Sequence, residues 1–163
     1  MRSWCRFAGA VAAEEPAIPL YWFLICKGHR TYLYLPLFFR TYHPRHDAPA
    51  PPRALEVLDV LAADRFPDAY RPESGLLVFP ESHGQLTPDL AEVPDGRRDD
   101  PRVRYFMERN PGYASGDELV CLTRISADNM KSLARRKFLE GWRLGGLEAL
   151  IGASQAVSGL IAA

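Results

Sequence analysis

The chain has 163 residues, about one domain by length, and its 47% hydrophobic and 11% aromatic content supplies enough apolar surface for a packed core, which excludes a wholly disordered chain. Fourteen prolines and twelve glycines without a triplet period exclude collagen and promise interrupted elements. Twenty Lys and Arg balance twenty Asp and Glu, so no global field draws the chain to nucleic acid or to an anionic membrane.

The zero net charge conceals a division along the chain. Residues 1–53 carry a net +4, 54–118 a net −7 and 119–163 a net +3. If folding sets a basic surface opposite an acidic one, self-association or an anionic ligand is favoured; charges simply placed on solvated faces are the plainer explanation. Cys5, Cys26 and Cys121 form an odd set with no C-x-x-C pair. Neither a disulfide framework nor a structural zinc site is expected, and a reducing, cytoplasmic compartment is the simpler expectation.

Residues 1–13, MRSWCRFAGAVAA, place Arg2 and Arg6 before an apolar stretch too short for a secretory signal, so 1–16 reads as a flexible, frayed terminus. An α+β domain is expected over 17–143. Leu20–Cys26 (LYWFLIC) and Thr31–Leu37 (TYLYLPL) flank a turn containing Gly28, which is a hairpin signal. The proline-rich stretch 43–53 reads as an extended loop. Leu55, Leu58, Leu61, Ala62 and Phe66 recur at helical spacing until Pro67. Gly75–Phe79 (GLLVF) reads as a short buried strand, and 80–101 as a long lid or binding loop. Asp99 or Asp100 caps a helix that starts at Pro101, and Asn110-Pro111-Gly112 ends it. Glu118–Ile125 (ELVCLTRI) is the clearest late strand, and Ser126 is placed to cap a helix whose polar face carries Lys131, Arg135, Arg136 and Arg143.

In the last segment, 144–163, Leu144, Leu147, Leu150, Ile151, Val157, Leu160 and Ile161 recur at helical spacing. Four glycines and Glu148 dilute its hydrophobicity. An extra C-terminal helix is expected, docked on the domain or forming a homodimer with a second copy, and a tail anchor is the alternative.

Walker, G-x-G-x-x-G, H-E-x-x-H and G-x-S-x-G motifs are all absent from the sequence. His43-x-x-His46-Asp47 has the residue types of a zinc or proton-exchange site, but on a proline-bounded loop nothing fixes both rings on one side, and no metal is expected. Arg30, Arg40 and Arg45 gather with His29 and His43 near the end of the expected hairpin, and a guanidinium suits phosphate. Seventeen of the twenty basic residues are arginine, so composition alone also produces such clusters. The basic face of the late helix lacks interleaved aromatics, and no nucleic-acid partner is expected.

The unit 102–125, RVRYFMERNPGYASGDELVCLTRI, has an aromatic near the middle of its helix, an E-R-N-P-G-Y ending and a strand directly after. It resembles the late helix-to-strand unit of the GNAT acyltransferase superfamily. That resemblance implies a small mixed sheet flanked by helices, a GNAT-like half or degenerate version of the fold. It further implies acyl-coenzyme A as co-substrate on the strand before the central helix, with Leu35, Leu37, Arg40 and Arg45 as cofactor-binding residues. Tyr105 would be the catalytic proton donor, and the acceptor a small-molecule amine or other acyl acceptor. Residues 38–53 hold no glycine where the family uses a glycine-rich turn, so Arg40 and Arg45 would replace backbone amides at the phosphates. Strands 31–37 and 75–79 would splay to admit the pantetheine arm. A non-catalytic domain that assembles through 144–163 is the competing expectation.

Overall fold

The computed structural model describes residues 2–79 and 84–152. In chain order the elements are α1 (Arg2–Glu14), β1 (Leu20–Cys26), α2 (His29–Tyr32), α3 (Tyr34–Phe38), α4 (Pro52–Arg65), β2 (Tyr70–Arg71), β3 (Leu76–Leu77), α5 (Pro88–Ala91), α6 (Asp95–Arg98), α7 (Pro101–Arg109), β4 (Glu118–Ile125) and α8 (Ser132–Trp142). A 3-10 turn covers Tyr113–Ser115. The class is mixed α/β with an antiparallel sheet in the order β1–β4–β3–β2. Contacts divide the chain into two compact units: Met1–Tyr21, Phe38–Arg40 and Arg124–Ala163 form unit 1, and Trp22–Leu37 with Thr41–Thr123 forms unit 2.

Unit 2 is organised on β4. This strand is buried from Glu118 through Thr123, which explains why ELVCLTRI reads as a continuous apolar run rather than an alternation. Leu76 and Leu77 of β3 pair with Leu119 and Glu118, and Tyr70 and Arg71 of β2 pair in turn with Leu77 and Leu76. Beyond β3, on the same edge of β4, His43 pairs with Leu122 through two 2.8 Å backbone hydrogen bonds. Glu118 is buried and forms an ion pair with Lys27 at 3.2 Å. Helix α7 begins as its sequence dictates: the Asp100 carboxylate accepts from the Arg102 amide at 2.9 Å, and Pro101 occupies a position that needs no donor. Its inner face buries Val103 and Phe106, and Phe106 touches the rings of Tyr32 and Tyr113 at centroid distances of 5.6 and 5.8 Å. At Gly116 the chain turns into β4 with φ +120°, a conformation open to glycine and strained for other residues.

The expected hairpin does not form. Residues 29–38 are the short helices α2 and α3 instead of a second strand. The alternation of TYLYL coexists with a helical stripe, and His29, Tyr32, Leu35 and Pro36 are its buried members. A short apolar run fits both periods, and here packing selects the helical one. The crevice expected between strands 31–37 and 75–79 therefore lacks one of its walls. The stretch 80–101 also carries more structure than a loop: α5 and α6 lie within it, and the Tyr113 hydroxyl donates to the Ala91 carbonyl at 2.9 Å. Residues 80–83 lie outside the described residues.

Unit 1 is built on α1 and α8. The segment expected as a frayed terminus is the 13-residue helix α1, whose Cys5, Ala8, Gly9 and Ala10 are buried. It packs against α8, whose Ala134, Phe138 and Gly141 are buried. A Cβ on Gly9 would overlap the Phe138 carbonyl, and one on Gly141 would overlap the Arg6 carbonyl, so the two backbones cross in direct contact at a pair of glycines. Ser126 does not cap α8. Its hydroxyl accepts from the Asn129 amide at 3.3 Å in a turn, and α8 starts six residues later at Ser132, with Lys131 as a cap residue that makes no side-chain cap bond. Phe39 bridges to Met130, and two 2.8 Å backbone bonds, Arg40 to Asn129 and Lys131 to Phe38, hold 38–40 beside the start of α8. Of the C-terminal segment 144–163, residues 147–152 are helical, and the Leu147 amide donates to the Glu14 carboxylate at 3.0 Å. Residues 153–163, including Val157, Leu160 and Ile161, lie outside the described residues. Among the described residues no helix is long and apolar enough to cross a membrane.

Candidate functional site

The bridge between Phe39 and Met130 has a chemical consequence in unit 1. It delivers Arg40 to the outer face of α8, where Ser132, Arg135, Arg136, Leu139 and Arg143 recur every three or four residues and so share one side of the helix. Together these six residues line a recess of about 310 Å³. Four guanidinium groups and a hydroxyl face it, and no carboxylate lines it.

Two further features make the recess electropositive. The first turn of α8 presents amides that no side chain caps, which adds the positive end of the helix dipole. The carboxylate nearest along the helix, Glu140, is taken up by Lys137 at 2.6 Å. That hydrogen bond holds the Glu140 carboxyl below the usual range, with smaller contributions from Arg136 and Arg6. Among the described residues, Arg135, Arg136 and Arg143 form no ion pair, and all three are solvent-exposed. The arrangement suits a compact anion bearing several oxygens, because planar guanidinium forks match phosphate geometry.

The residues expected from the GNAT resemblance fall in both units. Arg40 lies in the recess of unit 1, whereas Leu35, Leu37, Arg45 and Tyr105 belong to unit 2. Leu35 is fully buried in the core, and Leu37 is 60% exposed. Arg45 engages Asp47 through two hydrogen bonds of 2.5 Å and lies over the Tyr42 ring, 5.2 Å from its centroid. That pairing pulls the Asp47 carboxyl down to about 2. Tyr105 is half-buried on α7 beside His46, at 6.5 Å between ring centroids, and burial pushes its phenol up despite an opposing contribution from Arg109. His43 is part of the ladder bridge, separated in role from the exposed His46. Among the described residues no group of three His, Cys, Asp or Glu is placed to hold a metal. Burial also raises the Cys121 thiol well above its ordinary value, which leaves it a poor nucleophile.

The periodicity of Arg135, Arg136 and Arg143 was visible in the sequence as a basic helix face. What sequence reasoning missed is that Ser132 and Arg40 complete a concave site with them, since Arg40 arrives through a long-range bridge that leaves no local signature. No family model, curated protein or solved structure matches the chain.

Proposed function

We propose that the protein binds a phosphate-bearing ligand in the recess formed by Arg40, Ser132, Arg135, Arg136 and Arg143. The convergence of four guanidinium groups on one recess, with no carboxylate in its lining, is the observation that carries this reading. Its volume of about 310 Å³ stands at the small end of ligand pockets, which suits the anionic part of a small molecule better than a nucleic-acid backbone tracking along an extended basic stripe. Acyl-coenzyme A, the co-substrate implied by the resemblance of 102–125, belongs to this class through its phosphates, and Arg40 is the expected cofactor residue that the recess contains.

Thermal unfolding at matched ionic strength with pyrophosphate, a nucleoside triphosphate and acetyl-coenzyme A tests the proposal. A ligand at a hundred times its Kd adds about 2.7 kcal/mol. In a chain of this size that raises Tm by roughly 5–10 °C. The rise is lost in the Arg135→Gln, Arg143→Gln double variant and kept in Arg65→Gln, which changes an exposed arginine of α4. No rise with any of the three ligands, or an equal rise in the double variant, refutes the assignment.

A further inference from the structure

Leu139 lines two recesses. One is the basic recess described above; the other is a mainly apolar recess of about 210 Å³, also within unit 1, whose walls include Ile18, Leu20, Ile125, Phe138 and Trp142, with Arg124 and Ser126 as its polar members. On α8 the two lie on neighbouring stripes. Ser132, Arg135, Arg136 and Arg143 face the first, Phe138 and Trp142 face the second, and Leu139 stands between them. Arg135 and Arg143 are each four residues from Leu139, roughly 6 Å along the helix axis. Leu139, shared by both linings, joins the two recesses on the surface of α8.

Among the described residues the apolar recess keeps exposed walls. Ile18 is 61% exposed and Trp142 is 37% exposed, so large apolar surface there still faces solvent. Its volume is below that of a pocket for a drug-sized ligand but suits a narrow hydrocarbon chain. Charge complementarity fixes what such a chain must be joined to, because the adjoining recess is lined by four arginines.

We infer that the ligand is a single-chain anionic amphiphile, a phosphate monoester whose head is held by Arg135, Arg136 and Arg143 and whose hydrocarbon tail passes Leu139 into the recess walled by Ile18, Phe138 and Trp142. The inference rests on the anion-binding reading of the basic recess and adds the chemical class of what the anion carries. Specificity then divides in two. The head supplies charge-assisted hydrogen bonds, and the tail supplies affinity that grows with its length.

The experiment titrates the full chain with pyrophosphate and with n-alkyl phosphates from ethyl to octyl below their micelle concentrations, using calorimetry and tryptophan emission. Each methylene buried tightens binding roughly fourfold. A blue shift accompanies the longer chains and disappears in Trp142→Phe. Ile18→Ser flattens the chain-length series and leaves pyrophosphate affinity within about twofold; Ile18 is exposed, so the variant carries little risk to folding. Arg135→Gln with Arg143→Gln weakens every member of the series. A flat series with pyrophosphate binding retained overturns the amphiphile while the anion site stands. No binding of either probe class overturns both. Binding to phosphatidylglycerol vesicles without saturable binding of monomeric alkyl phosphates assigns the site to a lipid surface and overturns a free ligand. A flat series with a concentration-dependent dimer that Ile18→Ser dissolves assigns the recess to a second copy, and also overturns it.

Discussion

His29 is 1% exposed, and neither of its ring nitrogens has a hydrogen-bond partner among the described residues. Burial lowers its pKa first, and the cationic neighbours Arg30 and Arg97 lower it further. His43 shifts the same way, by burial and Arg109, with Asp59 opposing. An imidazole with a depressed pKa stays neutral in the folded chain, while the unfolded chain takes up a proton near pH 6.5. Below that pH the unfolded state binds more protons, so stability falls as pH drops and levels off only below the folded pKa values. Urea midpoints should therefore decline between pH 7.5 and 5.5, with a shallower slope in His29→Leu. An unchanged slope in that variant would remove His29 from the account. Position 29 was legible in the sequence only as one member of a basic cluster; its burial comes from the helical stripe it shares with Tyr32 and Leu35.

Among the elements, α1 and α8 depend most on residue size. Gly9 and Gly141 lie where the opposing backbones touch, and an added methyl has no flexible side chain to displace. Overpacking of this kind costs about 1–3 kcal/mol, against a gain of up to about 1 kcal/mol from the better helix propensity of alanine. Gly9→Ala should therefore lower Tm. Gly96→Ala, in α6 with nothing within 4 Å of the new methyl, should leave Tm unchanged or raise it. Equal effects in the two variants would show that the helix crossing tolerates separation. The sequence displayed the small residues of α1 as a tapering apolar stretch. The reason for their size lies in the partner helix, more than a hundred residues away.

At the scale of the molecule, the two units carry opposite net charge. Unit 1 carries nine Lys and Arg against five Asp and Glu, a net +4, and unit 2 carries eleven against fifteen, a net −4. An anion in unit 1 is therefore held in a local positive field although the whole chain is neutral. Mobile ions shorten the reach of that field from about 10 Å at 0.1 M to about 3 Å at 1 M. Pyrophosphate affinity should accordingly fall by roughly tenfold across that range of sodium chloride. A salt-independent affinity would mean that something other than the arginines holds the ligand.

By itself the sequence determined the elements whose signals are local. The Asp100-Pro101 start of α7, the leucine spacing of α4 and the apolar runs of β1 and β4 each fix their own backbone within a few residues. Tertiary structure decided what local signals leave degenerate or silent. It resolved 29–38 as helix because packing chose among periods that one short run satisfies equally. It assigned Arg40 and Arg45, close in sequence, to different units. It also built the candidate site, because a concave cluster of like charges needs residues brought together by a backbone bridge between distant segments, and such a bridge has no signature in either segment alone.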